Sequence, residues 1–85
     1  MNPVADAILS LVGGLHPGKS ICPSEVARLL APEPPAAWRS QLGRVRQEAV
    51  RLARDGKVEI LRKGRPVSAL APVRGVIRLR APRLP

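Results

Sequence analysis

The stretch that decides the fold is residues 35–56, PAAWRSQLGRVRQEAVRLARDG. On a period of 3.6 residues, their apolar side chains fall on one stripe and their polar and basic side chains fall opposite. The stripe consists of Trp38, Leu42, Val45, Ala49, Leu52 and Ala53. The opposite side carries Ser40, Arg44, Gln47, Arg51 and Arg54, with Arg39 and Arg46 on one shoulder. We therefore expect one long helix, stopped by Gly56, with an apolar face toward the core and a basic face toward solvent.

Two shorter helices precede this stretch. Asn2 and Pro3 have the residue types of an N-cap and a first helical position, and Gly13-Gly14 ends the apolar periodicity that follows them. Pro23 begins a second helix, with Glu25 placed to complete a capping box. Residues 19–21 between the two helices predict a short extended strand. The proline-rich segment 31–35 predicts a turn into the long helix, because a residue before proline is driven out of the helical region.

After Gly56 the apolar period changes from 3.6 to 2. Residues 57–62 (KVEILR) and 75–80 (GVIRLR) alternate apolar and polar side chains. Two such segments around a glycine-containing connection predict an antiparallel β-hairpin. The connection is long for a hairpin, so part of it is expected to add a turn or strand.

The predicted order is helix, short strand, helix, turn, long helix and hairpin. This is an α+β winged helix-turn-helix, with the long helix in the recognition position and the C-terminal hairpin as the wing. We assign residues 1–80 to this single domain and residues 81–85 to a flexible C-terminal tail.

Several segments also resemble a family of small bacterial proteins that is catalogued only as a domain of unknown function. The matching segments are ICPSEVAR (21–28), WR (38–39), VR (45–46) with Ala49, Leu52, Ala53 and Gly56, KGRPV (63–67) and GVIRL (75–79). The resemblance extends from about Ile8 to Arg80. It implies a winged-helix fold and a bacterial origin, and no activity, cofactor or catalytic residue.

The charge of the chain is distributed unevenly. Residues 1–34 contain two basic and three acidic side chains, whereas residues 35–85 contain 13 basic and three acidic ones. A positive field concentrated on the long helix and hairpin favours a polyanionic partner, with nucleic acid first and an acidic membrane surface second. A genome-wide bias toward arginine explains the 12 Arg against 3 Lys, but explains their placement less well.

The same composition argues against other classes of function. His16 and Cys22 are the only imidazole and the only thiol, and nothing in the spacing suggests a catalytic pair, a metal site or a phosphate-binding loop. We therefore expect no enzyme activity, no metal and no cofactor. The first 15 residues contain Asp6 and lack a basic start, so we expect no signal peptide and a cytoplasmic location.

The sequence thus predicts a non-enzymatic domain that binds double-stranded DNA, of the kind used in transcriptional regulation. The predicted contact residues are Arg39, Ser40, Arg44, Gln47, Arg51, Arg54, Lys63 and Arg65. Arginine can pair with guanine and glutamine with adenine in the major groove. Two alternatives stay open. The charges can be a solvated face, with Arg44–Glu48 or Arg51–Asp55 pairs, or the domain can be a protein-interaction module whose apolar segment 67–73 (VSALAPV) is exposed.

Overall fold

Three helices and a small antiparallel sheet make up the fold in the computed structural model, which describes residues 2–82. The helices are α1 (Pro3–Gly13), α2 (Pro23–Leu30) and α3 (Leu42–Arg54), and a short 3-10 helix (Ala37–Gln41) leads directly into α3. The strands are β1 (Glu59–Arg62), β2 (Arg65–Pro66) and β3 (Arg78–Arg80), in the sheet order β2-β1-β3. The predicted α+β class is confirmed, and the arrangement is compatible with a winged helix.

One apolar core joins the three helices to the sheet. Ile8, Val26 and Val45 contribute one fully buried side chain from each helix, and Ile60 of β1 and Leu79 of β3 close the core from the sheet. Burying a side chain of this size stabilises the folded state by about 1.5–3 kcal/mol. Because the domain is small, this shared core fixes the position of α3.

The predicted helix boundaries are confirmed where they rest on capping residues. The Asn2 side chain accepts the backbone N–H of Ala5 at 3.1 Å, and the Cys22 N–H donates to Glu25 Oε2 at 2.7 Å. At the end of α3, Gly56 has φ +74°, and the Lys57 N–H donates to the carbonyl oxygen of Leu52 at 2.9 Å. This Gly56 conformation is the left-handed helix stop that the sequence predicts.

The prediction of one continuous helix over residues 35–56 is wrong at its N-terminal end. Residues 37–41 wind as a 3-10 helix, and the α-helical winding begins only at Leu42. The Ser40 hydroxyl donates to the carbonyl oxygen of Ala37 at 2.9 Å, an acceptor that α-helical winding would give to the backbone of Gln41. Side-chain hydrogen bonds of this kind compete with regular helix formation.

The tighter winding moves Trp38 away from the centre of the core. Its side chain is half-buried and packs against the edge of the core, whereas Val45, Ala49 and Leu52 of the predicted stripe are fully buried. Trp38 of the predicted stripe therefore lies at the edge of the core rather than inside it.

The predicted strand over residues 19–21 is reduced to a single β-bridge. Ile21 exchanges two backbone hydrogen bonds with Leu79, at 2.8 and 2.7 Å. The pairing stops there because Cys22 already caps α2. The carbonyl oxygen of Ser20 accepts instead from the Arg78 guanidinium at 2.8 Å.

The C-terminal part of the sheet contains one strand more than the predicted hairpin. β1 pairs antiparallel with β3, as the alternating segments predict, and also pairs with β2 through the two-residue turn Lys63-Gly64. Both turn residues have positive φ, 52° and 78°, which is the geometry of a tight type I′ hairpin turn. We call residues 67–77, which connect β2 to β3, the wing loop. Of the predicted tail, residues 83–85 lie outside the described residues.

Candidate nucleic-acid interface

An exposed polar ridge runs along α3 on the side opposite its buried residues. Arg44, Gln47 and Arg51 form this ridge, at the i, i+3, i+7 spacing that puts side chains on one face of a helix. All three side chains are exposed, while Val45, Ala49 and Leu52 anchor the other face with 0–1% exposure. The same periodicity therefore fixes the helix and leaves its polar face open.

A hollow lies on each flank of the ridge. On one side, a groove of about 880 Å³ separates α3 from the wing loop, with Val50, Val73 and Ile77 among its lining residues. On the other side, a smaller hollow of about 320 Å³ separates α3 from the start of α1. Arg44, Gln47 and Glu48 line both hollows. Of these three, Arg44 and Gln47 are exposed, so their side chains stand on a raised strip with space on either side.

Two arginines on the groove side attach the wing loop to α3. The Arg46 guanidinium donates to the carbonyl oxygens of Gly75 and Val73, at 2.9 and 3.3 Å, and Arg54 Nε donates to the carbonyl oxygen of Ala69 at 2.8 Å. Arg46 and Arg54 are eight positions apart on α3, or roughly 12 Å at the rise of an α-helix. The wing loop therefore runs antiparallel to α3 along about two turns of the helix.

Positive charge dominates the lining of the groove. Four arginines (Arg44, Arg46, Arg51 and Arg54) line it, and Glu48 is the one acidic lining residue within residues 2–82. Arg51 pairs with Glu48 and with Asp55, the second contact at 3.4 Å. Arg51 and Asp55 are each about half exposed, so the ion pair between them is weak and can exchange for another anion, whereas the Glu48 side chain is 17% exposed.

The structure brings together five of the eight residues predicted to contact DNA. Ser40, Arg44, Gln47, Arg51 and Arg54 all line the groove. Within residues 2–82, the Arg44 and Gln47 side chains make no hydrogen bond to the protein, whereas Ser40 and Arg54 use theirs to hold the 3-10 helix and the wing loop.

The other three predicted residues lie outside the groove lining. Lys63 and Arg65 are exposed at the tip of the β1–β2 hairpin. Arg39 stacks on Trp38, with its Cζ 5.1 Å from the centre of the indole ring. The ion pair between Arg51 and Asp55, which the solvated-face alternative expects, is present; Arg44 makes no such pair with Glu48 within residues 2–82.

Sequence reasoning missed two arginines that the fold uses. Periodicity places Arg46 only on one shoulder of the polar side, and its partners are the wing-loop carbonyls. Arg28 of α2 packs over the Trp38 ring with its Cζ 4.6 Å from the ring centre. Neither partner leaves a local sequence signal, because backbone carbonyls are present at every residue and Trp38 is ten positions from Arg28.

Across residues 2–82, no group of three or more His, Cys, Asp and Glu side chains is arranged to hold a metal ion. The Cys22 thiol accepts a hydrogen bond from the Ser24 hydroxyl at 3.2 Å. None of the helices within these residues has the length and apolarity required to cross a bilayer.

Comparison with known proteins gives a family and no activity. The profile of a family described as "Protein of unknown function (DUF3253)" matches residues 1–82, so the chain belongs to that family. This confirms the resemblance drawn from the sequence to a family without an assigned function. A comparison with curated proteins finds no match.

Proposed function

For this member of the DUF3253 family, we propose that the domain binds double-stranded DNA without enzymatic activity, as a cytoplasmic protein, with α3 in the major groove. The observation that carries the proposal is the unengaged pair Arg44 and Gln47, exposed on a raised strip of α3 with a hollow on each side. An α-helix with its side chains is 10–12 Å wide, and the major groove of B-DNA is about 12 Å wide. A helix raised above its surroundings can therefore enter that groove.

The ridge residues have separate tasks in this proposal. Arg44 and Gln47 reach base edges, because within residues 2–82 their donors and acceptors are not used by the protein. Arg51 exchanges its exposed ion pair with Asp55 for a DNA phosphate.

The hairpin tip supplies the contacts of a wing. Lys63 and Arg65 flank Gly64 in an exposed turn, where a phosphate or the wall of a minor groove can approach. Arg46 and Arg54 act indirectly, because they hold the wing loop beside α3. Together, α3 and the tip of the β1–β2 hairpin present positive charge on two separate elements.

The proposed partner is a duplex rather than a single strand. Proteins that bind single strands stack bases on exposed aromatic side chains. Apart from His16, Trp38 is the one aromatic residue of the chain. Arg28 and Arg39 lie over its ring.

The test is a titration of a fluorescent random-sequence duplex with the whole chain at several salt concentrations. If about five basic groups neutralise phosphates, log K falls against log salt with a slope of about −4 to −5. The double variant Arg44→Ala, Gln47→Ala should bind more weakly and remain folded. Lys19→Ala, which removes one exposed charge away from the ridge, is the control. An affinity that does not change with salt, or no binding at low salt, contradicts the proposal.

A second candidate function is a protein-interaction module, which two exposed apolar side chains favour. Leu70 is 83% exposed and Val76 is 82% exposed, both on the wing loop. Exposed apolar side chains of this kind occur at protein-binding surfaces. NMR line widths that grow with protein concentration and return to monomer values in Leu70→Ser, Val76→Ser would favour self-association over DNA binding.

A further inference from the structure

A cluster of Arg28, Trp38 and Arg39 lies outside the groove. Arg28 is in the last turn of α2, and the other two residues belong to the 3-10 helix that leads into α3. Both guanidinium groups lie over the same indole ring, at 4.6 and 5.1 Å from its centre. These are cation–π distances, so the electron-rich ring face attracts both cations. The same ring thus holds two exposed cations, whose Cζ atoms are at most about 10 Å apart.

The nearby carboxylates do not neutralise this pair. Glu25 is three positions before Arg28, the spacing of a helical ion pair, but its Oε2 accepts the Cys22 N–H at the start of α2. Within residues 2–82, neither Arg28 nor Arg39 forms an ion pair with any Asp or Glu. Their side chains also make no hydrogen bonds to the protein over the same residues, so their N–H groups remain available to a ligand.

We infer that Arg28 and Arg39, oriented by Trp38, form a second phosphate contact for the DNA that α3 binds. This inference rests on the proposed function. Two cations on one ring repel each other, and a phosphate oxyanion bound by either guanidinium group lowers that repulsion. A guanidinium group also matches phosphate geometry with paired N–H donors. Because stacking on the indole restricts the arginine side chains, less conformational freedom is lost when the phosphate binds.

The position of the cluster selects DNA over other phosphate-bearing partners. Arg39 lies three residues before the start of α3 and five residues before Arg44 of the ridge. A DNA strand that passes the N-terminal end of α3 therefore comes close to the cluster. In helix-turn-helix proteins, the elements before the recognition helix lie over the DNA backbone. The cluster extends the contact surface along α3 beyond the groove.

The experiment compares salt dependence in three forms of the whole chain, using the same fluorescent duplex. Arg28→Gln, Arg39→Gln removes both charges, and Arg28→Lys, Arg39→Lys keeps them. The matched control, Lys19→Gln, Lys57→Gln, removes two exposed charges elsewhere. We expect the Gln pair to make the slope of log K against log salt less negative by about 1.8, since each phosphate contact contributes about 0.9. The Lys pair and the control should keep the wild-type slope within experimental error.

Trp38 provides an independent readout at the same place. It is the only Trp, and the chain has no Tyr, so emission excited at long wavelength comes from the cluster alone. We expect duplex to change this emission with the same midpoint as binding, and the Gln pair to lose the change. If the Gln pair does not fold, as its melting curve would show, the single variants Arg28→Gln and Arg39→Gln should each shift the slope by about 0.9.

Three results would overturn the inference. If wild type binds duplex and the Gln pair keeps its slope and emission change, the cluster is structural and only the second contact fails. If wild type does not bind duplex even at low salt, the second contact and the proposed function fail together. If Trp38 emission responds to vesicles of anionic lipid but not to duplex, the cluster binds a membrane surface instead.

Discussion

Arg44 and Arg46 are two positions apart on α3, yet they are used in opposite ways. Arg46 faces the wing loop and donates to two of its backbone carbonyls, at 2.9 and 3.3 Å. Arg44 lies on the exposed ridge and makes no hydrogen bond to the protein within residues 2–82. The residue type is the same, and only the side of the helix differs. One side of α3 therefore holds the wing loop, while the other side is the one that we propose contacts DNA.

The buried face of α3 anchors the helix in the core and so positions both the exposed side and the loop-facing side. A substitution on this face should therefore have the largest effect on the free energy of unfolding. Leu52 is 1% exposed. Replacing Leu52 by Ala should lower the free energy of unfolding by about 2–5 kcal/mol, because it removes buried methyl groups and leaves a cavity. Urea unfolding followed by circular dichroism measures the loss. A change below about 1 kcal/mol would mean that Leu52 does not anchor the helix.

The exposed side should affect binding and leave folding unchanged. Arg44→Ala is expected to weaken duplex binding by about 1–3 kcal/mol, the range for a paired base contact. Its unfolding free energy should stay within about 0.5 kcal/mol of wild type, because the side chain is exposed and unpaired. Fluorescence anisotropy and urea unfolding of the same preparation separate the two effects. If Arg44→Ala lowers the free energy of unfolding and leaves duplex binding unchanged, this side of α3 stabilises the domain and does not contact DNA.

The loop-facing side should show the opposite pattern. Arg46→Ala removes two charge-assisted hydrogen bonds to the wing loop, and we expect it to lower the free energy of unfolding by about 1–2 kcal/mol. Hydrogen exchange at Ile77 and Arg78, where the loop enters β3, should become faster. Arg44→Ala is the matched control, since it removes the same side chain from the other side of α3. If the two variants have equal free energies of unfolding, Arg46 does not stabilise the domain more than Arg44 does.

The smallest expected effect concerns the acidic residue that lies between the two sides. Glu48 pairs with Arg51 and lines the groove. Glu48→Gln should strengthen duplex binding by about 0.5–1 kcal/mol, because it removes a negative charge near the DNA and releases Arg51. Anisotropy titrations at low salt measure the gain. Weaker binding in this variant would show that Glu48 positions Arg51 for the contact.

The parts of the fold that follow from local chemistry could be predicted from the sequence. The Asn2 cap, the Glu25 capping box and the Gly56 stop depend on residues within a few positions of one another, and each is present. The buried stripe of α3 also follows from periodicity, since Val45 and Leu52 pack into the core as predicted. Local rules of this kind need no knowledge of the rest of the chain.

The parts that depend on distant partners could not be predicted. The 3-10 winding that moves Trp38 to the core edge accompanies its packing against Arg28, and no period in the sequence encodes that contact. The same holds for the candidate site. Periodicity places Arg44, Arg46 and Arg54 on an exposed helix, but the folded wing loop decides which of them bind its carbonyls.

The acceptors of Arg46 and Arg54 are peptide carbonyls rather than side chains, and this has a consequence for how the domain can be altered. Carbonyl groups belong to every amino acid, so the hydrogen bonds that hold the wing loop against α3 do not depend on the side chains of the loop. Other features of the loop do depend on them: Gly75 has a φ of +77°, Ala69 is buried, and Val73 packs against the core. The exposed position Leu70 can therefore be exchanged without loss of these hydrogen bonds.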